Sequence, residues 1–216
     1  MKQYTFKGIL QNEGWLENRG VTIDRDGIIV DIEQVNSNEI DAGYALPGFQ
    51  NAHSHAFQYA MAGLAEKHDA NSENGDFWSW REAMYRLALN ISPDQLEDIA
   101  TMLYAEMVRH GYTSVAEFHY VHHDKNGKQY DNLAEMGSRL VAAAETAGIN
   151  ITLVPIFYQK GGFGVAPNER QKRFISSSVD DYMNLLDASQ VVCKHYNGAN
   201  IAIGIHSMRG VEPEQD

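Results

Sequence analysis

One cysteine in 216 residues, Cys193, leaves no intramolecular disulfide framework to consider and fits a reducing compartment. The residue itself reads as a small side chain on a helix. Positive charge is scarce as well: 17 Lys and Arg stand against 29 Asp and Glu, a formal net charge of −12. That balance argues against a nucleic-acid or anionic-membrane surface, since both need clustered cations, and an anionic ligand would have to be met by local arginines. No apolar run approaches the roughly 18 residues of a membrane span, and the opening Met1-Lys2-Gln3-Tyr4-Thr5-Phe6-Lys7-Gly8 lacks the apolar core of a signal peptide, so the cytoplasm is the expected location. Glycine-rich phosphate loops are missing too. Gly161-Gly162-Phe163-Gly164 comes closest, but it opens no helix and reads as a loop. What is present, 44% hydrophobic and 21% charged residues at a mean hydropathy of −0.41, suffices for the core of a soluble globular protein.

The first forty-five residues read as short strands over 4–10, 14–24 and 28–35, with Asp26-Gly27 as a type I′ hairpin turn between the last two. Around Tyr44-Ala45-Leu46-Pro47-Gly48 the pattern changes, giving a β segment over 1–45 and a second domain over 46–216. In the second domain strands and helices alternate. Ser92-Pro93-Asp94-Gln95 is a capping box with proline at the first helical position; Leu96, Ile99, Leu103 and Met107 follow at helical spacing, and Gly111 stops the helix. A strand over 113–120, a helix carrying Leu133, Met136, Leu140 and Ala144 up to Gly148, and a strand over 149–158 come next. A helix with Val179, Met183, Leu186 and Val191 then starts after Ser176-Ser177-Ser178, and a single strand over 199–207 closes the series. Repeated strand–helix–strand units demand parallel strands covered by helices, so the class is α/β, either a doubly wound sheet or a β/α barrel.

The chemically interesting residues gather where strands stop, which in a β/α barrel is the face that carries the active site. His53 and His55 close the first strand of the second domain, Glu117 and His119 the second; Tyr158 and Gln159 follow the third, and His206 closes the fourth with Arg209 three residues on. Alternate residues of a strand face one side, so His53 and His55 can aim two imidazoles at one point as ligands for Zn²⁺ or Fe²⁺. Nine histidines make a chance His-x-His common, and the alternative is a surface pair in a loop. His119, His122 and His123 could form a second metal cluster, or be loop residues hydrogen-bonded to one another. His110 suits a helix C-terminus, and His68 and His195 read as surface residues. Arg81 and Arg209 offer planar forks to a carboxylate, against the alternative of salt bridges to this chain's own acids. Trp78 and Trp80 could wall the site or belong to the core.

The segment Leu46-Pro47-Gly48-Phe49-Gln50-Asn51-Ala52-His53-Ser54-His55 resembles the first barrel strand of the amidohydrolase superfamily. Its extension through Gln58, together with the stretches 77–86, 117–123 and 204–210, resembles the formimidoylglutamate deiminases within it. The resemblance implies a (β/α)8 barrel paired with a small β-sandwich, of which this chain carries the first strands and about four of eight β/α units. It implies a mononuclear zinc hydrolase converting N-formimidoyl-L-glutamate and water to N-formyl-L-glutamate and ammonia in histidine breakdown. His53 and His55 would be zinc ligands; Gln58, Arg81, Tyr120, His206 and Arg209 would line the pocket for the small dicarboxylate. The further ligands and the proton-shuttling glutamate of that pattern fall beyond Asp216. Low activity of the isolated chain is therefore expected, with a homo-oligomer or a complementing C-terminal half as possible partner. Two alternatives stand beside this: another deaminase of the superfamily acting on a purine or pyrimidine ring, and a non-catalytic half barrel that needs a partner chain.

Overall fold

The computed structural model describes residues 1–36, 38, 40–64 and 76–212, without the side chains of 76–78, so His68 and the Trp78 side chain lie outside the described residues. Two compact units divide the chain, Met1–Gly48 and Phe49–Asp216. The first is a four-stranded sheet built from β1 (Lys2–Gln11), β2 (Gly14–Ile23), β3 (Ile29–Gln34) and β4 (Ala42–Ala45), in the order β3-β2-β1-β4. Strands β1, β2 and β3 pair antiparallel, whereas β4 runs parallel to β1. Ile9 and Val21 are buried, and Thr5 Oγ1 donates to Asp41 Oδ2 at 2.9 Å. The four-residue β4 is too short to announce itself by alternation.

The turn between β2 and β3 corrects the sequence expectation. A type I′ turn needs positive φ at both central residues, yet only Gly27 is left-handed, at φ 83°. The Asp24 carboxylate accepts from the amides of Asp26 and Ile28 at 2.9 Å each, closing an Asx-type loop that is longer than a two-residue hairpin.

The second unit is α/β with a parallel sheet. Strands β5 (Phe49–Ser54), β6 (Tyr112–His119), β7 (Asn150–Phe157) and β8 (Ala199–Ile201) lie side by side in chain order, and β9 (Gly204–Ile205) also pairs with β7. A 3-10 turn (Ala56–Met61) and helices α1 (Asp76–Asn90) and α2 (Pro93–Arg109) connect β5 to β6; α3 (Glu135–Ala147) and α4 (Val179–Cys193) make the later crossovers. The capping box of α2 is complete: Ser92 Oγ accepts from Gln95 N at 3.2 Å while Gln95 Oε1 accepts from Ser92 N at 3.0 Å. Gly111 (φ 87°) and Gly148 (φ 76°) supply the left-handed residues beyond α2 and α3.

Two sequence expectations fail here for physical reasons. In α4, Val179, Met183 and Val191 are exposed, and the buried face is Tyr182, Leu185, Ser189 and Cys193. That set is equally helical in spacing, and its polar members are satisfied inside, Tyr182 Oη on Pro155 O at 2.9 Å and Ser189 Oγ on Leu185 O at 2.8 Å. The closing strand is interrupted at Ala202–Ile203 without a change of register: Ile201 lies opposite Leu153 and Gly204 opposite Ile156, and Ala202 N still donates to Leu153 O at 2.9 Å. A Cβ on Gly204 would stand 2.6 Å from Ile156 Cδ1, so a larger residue here would require the Ile156 side chain to shift.

Candidate active site

The end of β5 is irregular. Asn51 pairs with Val115 and Ser54 with Glu117, three steps on β5 against two on β6. The extra residue is a bulge at Ala52–His53, a feature that re-aims side chains at strand ends. Ser54 is buried on one side, and His53 and His55 come together on the other with their Nε2 atoms 3.1 Å apart. His55 Nδ1 lies 2.6 Å from the Phe118 carbonyl oxygen. A carbonyl only accepts, so Nδ1 carries the proton and Nε2 presents its lone pair. Burial holds His55 below its usual pKa, with the Phe118 carbonyl opposing and His53 adding a smaller push, which favours the neutral ligand form. Two nitrogens each about 2.05 Å from a tetrahedral metal would stand about 3.3 Å apart. The pair fits a divalent ion. Among the described residues no group of three or more His, Cys, Asp or Glu side chains converges on such a point.

A cavity of about 630 Å³ opens beside this pair. His53, His55, Gln58, Arg81, Tyr120, His206 and Arg209, the seven residues to which the family resemblance gave ligand or pocket roles, all line it, whereas Glu117, His119 and Gln159 do not. Gln58 Nε2 donates to Tyr120 Oη at 3.0 Å, and burial raises the Tyr120 phenol above its ordinary range, so it stays protonated. His206 packs on Tyr158 with ring centroids 4.2 Å apart. Burial, then Arg209, then His55 hold its pKa down. Arg81 Nη2 reaches Tyr85 Oη at 3.4 Å, a contact that favours its charged form, and its guanidinium carbon lies 5.5 Å from the Tyr85 ring. Trp80 also lines the cavity.

Tyr85 and Lys160 are lining residues that sequence reasoning missed. Tyr85 follows Arg81 by four on α1, so helical spacing carried a signal for it. Lys160 comes two residues after Tyr158 and pairs with Glu212 at 2.9 Å. Tyr158, noted at the strand end, accepts from Gln171 Nε2 at 2.5 Å. Among the described lining residues there is no Asp or Glu, in a chain whose net charge is −12.

The second histidine cluster is a structural pin. His122 Nε2–H donates to Ile156 O at 3.1 Å, its Nδ1 faces His119 Nε2 at 3.3 Å, and His123 Nε2 meets Ile175 O at 2.8 Å. Burial keeps both His119 and His122 neutral, pushing His122 down to about 3. His110 Nδ1 lies 2.7 Å from Glu106 O at the end of α2, His195 is exposed, and Cys193 is buried with Sγ 3.5 Å from Asn200 O.

The Amidohydrolase family matches residues 44–215. The chain belongs to this family. Over 207 residues this amidohydrolase chain is 45% identical to the formimidoylglutamate deiminase of Pseudomonas aeruginosa, covering 94% of the chain and 45% of that protein. The crystal structure of an amidohydrolase from Brucella melitensis superposes with a TM-score of 0.89 at 41% identity, over 98% of the chain and 47% of the other. An atrazine chlorohydrolase of Arthrobacter aurescens, crystallised with zinc, shares the fold at a TM-score of 0.71 and 18% identity, over 98% of the chain and 48% of the other. The chain thus spans about half the length of the relatives it matches.

Proposed function

We propose that the chain supplies the first four β/α units of a metal-dependent barrel hydrolase that opens the C–N bond of a linear amidine, N-formimidoyl-L-glutamate, to give N-formyl-L-glutamate and ammonia. One observation carries the choice of substrate: beside a histidine pair at ligand spacing lies a cavity with Arg81 and Arg209 in its wall and, among its described lining residues, no carboxylate. A dicarboxylate needs that environment, and a neutral purine or pyrimidine does not. The 45% identity to a protein named formimidoylglutamate deiminase supports the same substrate.

His53 and His55 would hold the divalent metal, zinc by family resemblance, through Nε2. When bound, such a metal supplies Lewis acidity, which makes a nucleophile of water at neutral pH. The chain's own residues do the binding and orientation. Arg81 and Arg209 engage the two carboxylates with charge-assisted hydrogen bonds. Tyr120, its hydroxyl positioned by Gln58, orients the glutamyl chain, and the His206 ring, packed at a tilt on Tyr158, forms a wall that keeps the amidine facing the histidines. The experiment is ammonia release by the full-length protein from N-formimidoyl-L-glutamate and, in parallel, from adenine, guanine and cytosine. Turnover of a ring amine with none of the dicarboxylate would overturn the proposal. So would dicarboxylate turnover unaffected by both Arg81→Ala and Arg209→Ala.

A further inference from the structure

Behind the histidine pair sits a carboxyl group that the proposed chemistry leaves idle. Glu117, on β6, is 1% exposed and has no cationic partner among the described residues. Its Oε1 accepts from the Ala56 amide at 2.6 Å, and its Oε2 is buried without a partner at hydrogen-bonding geometry, although the Ser54 and Tyr104 hydroxyls are near enough to favour the ionised form. An ionisable side chain in a buried interior is a poor choice for packing. The reason for it lies in what it holds.

The bulge at Ala52–His53 means that the β5–β6 ladder no longer dictates where the chain goes next, because beyond it only Ser54 remains in register, opposite Glu117. Two contacts from consecutive residues of β6 take over. The Phe118 carbonyl fixes the His55 ring, and the Glu117 carboxylate fixes the main chain at Ala56, one residue later, where the 3-10 turn begins. With both in place the two Nε2 atoms stand at ligand spacing. We propose that Glu117 is a positioning residue for the metal site, holding the Ala56 N–H so that the bulged segment presents His53 and His55 as a preset pair. This rests on the assignment of that pair as metal ligands.

The test is the Zn²⁺ dissociation constant of the full-length protein, measured by competition with a chromophoric chelator, and the visible spectrum of the Co²⁺-loaded protein. Variants are Glu117→Gln, which keeps an oxygen for the Ala56 N–H, and Glu117→Asp and Glu117→Leu, which withdraw it. His53→Ala and His55→Ala serve as controls, and circular dichroism melting is recorded for all. Partners of metal ligands typically contribute about 10–100-fold to metal affinity. That loss is expected in Glu117→Asp and Glu117→Leu with an altered Co²⁺ spectrum, while Glu117→Gln stays within about threefold of the parent. A folded Glu117→Asp or Glu117→Leu that binds Zn²⁺ like the parent overturns the proposal, as does a folded Glu117→Gln that is as weak as Glu117→Asp. If Glu117→Asp and Glu117→Leu both fail to fold, the residue serves the fold and the proposal also falls. Failure of the underlying ligand assignment looks different: Zn²⁺ affinity would then survive His53→Ala and His55→Ala.

Discussion

Replacing Arg173 by methionine should cost the protein about 3–5 kcal/mol, although the residue touches neither the histidine pair nor the cavity. Its side chain is wholly buried and forms no ion pair with a carboxylate among the described residues. Instead the guanidinium donates to three main-chain carbonyls: Nη1 to Ala88 O at 2.6 Å and Ile91 O at 2.8 Å, and Nε to His123 O at 2.8 Å. Nη2 reaches Tyr130 Oη at 3.4 Å. Ala88 and Ile91 mark the end of α1, where carbonyls accumulate partial negative charge, so a cation there is doubly suited. Each buried carbonyl left without its donor costs about 1–3 kcal/mol. Three of them sum to about 3–9 kcal/mol, and methionine recovers part of that by sparing the desolvation of a charge, which sets the estimate at the lower end. Because α1 also carries Trp80, Arg81 and Tyr85 into the cavity, a loosened α1 should raise KM as well. Equilibrium urea unfolding followed by tryptophan fluorescence reads the stability, and Arg173→Lys, which keeps the charge but loses the fork, should fall between parent and methionine. A methionine variant within 1 kcal/mol of the parent, which is about the contribution of one ordinary hydrogen bond, would refute the account of Arg173 as the tie between α1 and the loops after β6 and β7.

Other consequences are open to measurement. His119 and His122 are held neutral by burial, His122 at about 3, whereas an unfolded histidine titrates near 6.5. The unfolded chain therefore takes up protons that the folded chain refuses; this part of the stability is complete above about pH 6.5 and is lost as pH falls toward 3, by up to about 1.4 kcal/mol per pH unit for each imidazole. Urea unfolding between pH 8 and 4.5 should show that slope, and His122→Gln should flatten it; an unchanged slope would count against the buried pair. Arg209→Met should raise KM for the dicarboxylate about 10–100-fold with kcat much less affected, as expected for a charge-assisted contact made equally in ground and transition states; steady-state kinetics with kcat lost and KM constant would contradict that role. Gly161→Ala puts a Cβ 2.6 Å from the Ala166 carbonyl oxygen, so the loop at the cavity wall must move, at a cost of about 1–3 kcal/mol, and a melting temperature equal to the parent's would show that the wall is softer than this geometry requires.

Features with a local chemical cause could be read from the sequence. Ser92-Pro93-Asp94-Gln95 specifies its helix start through side chains that cap within one turn, and Gly148 marks a stop because left-handed backbone favours glycine. His53 and His55 were also legible as a pair. The bulge that aims them was not, since an extra residue in β5 is defined only against its partner β6. The misassigned face of α4 has a similar origin. Two stripes compete on that helix, and the one that is buried contains Ser189 and Cys193, whose small size suits them to close packing, while the hydroxyl of Ser189 hides it from a hydrophobic pattern. Tyr85 and Lys160 enter the cavity through tertiary placement, and only the first left a trace, in its helical distance from Arg81.

The bulge in β5 and the contacts that follow it involve only residues 51–56 and 115–118. During synthesis the chain emerges from its N-terminus and folds as segments become available, so the histidine pair and everything that orients it have left the ribosome once β6 has appeared, some ninety residues before Arg209 can join them. The proposed metal grip would thus be complete on the nascent chain ahead of the cavity, and metal bound at that stage would favour the correct pairing of β5 with β6 over any slipped alternative.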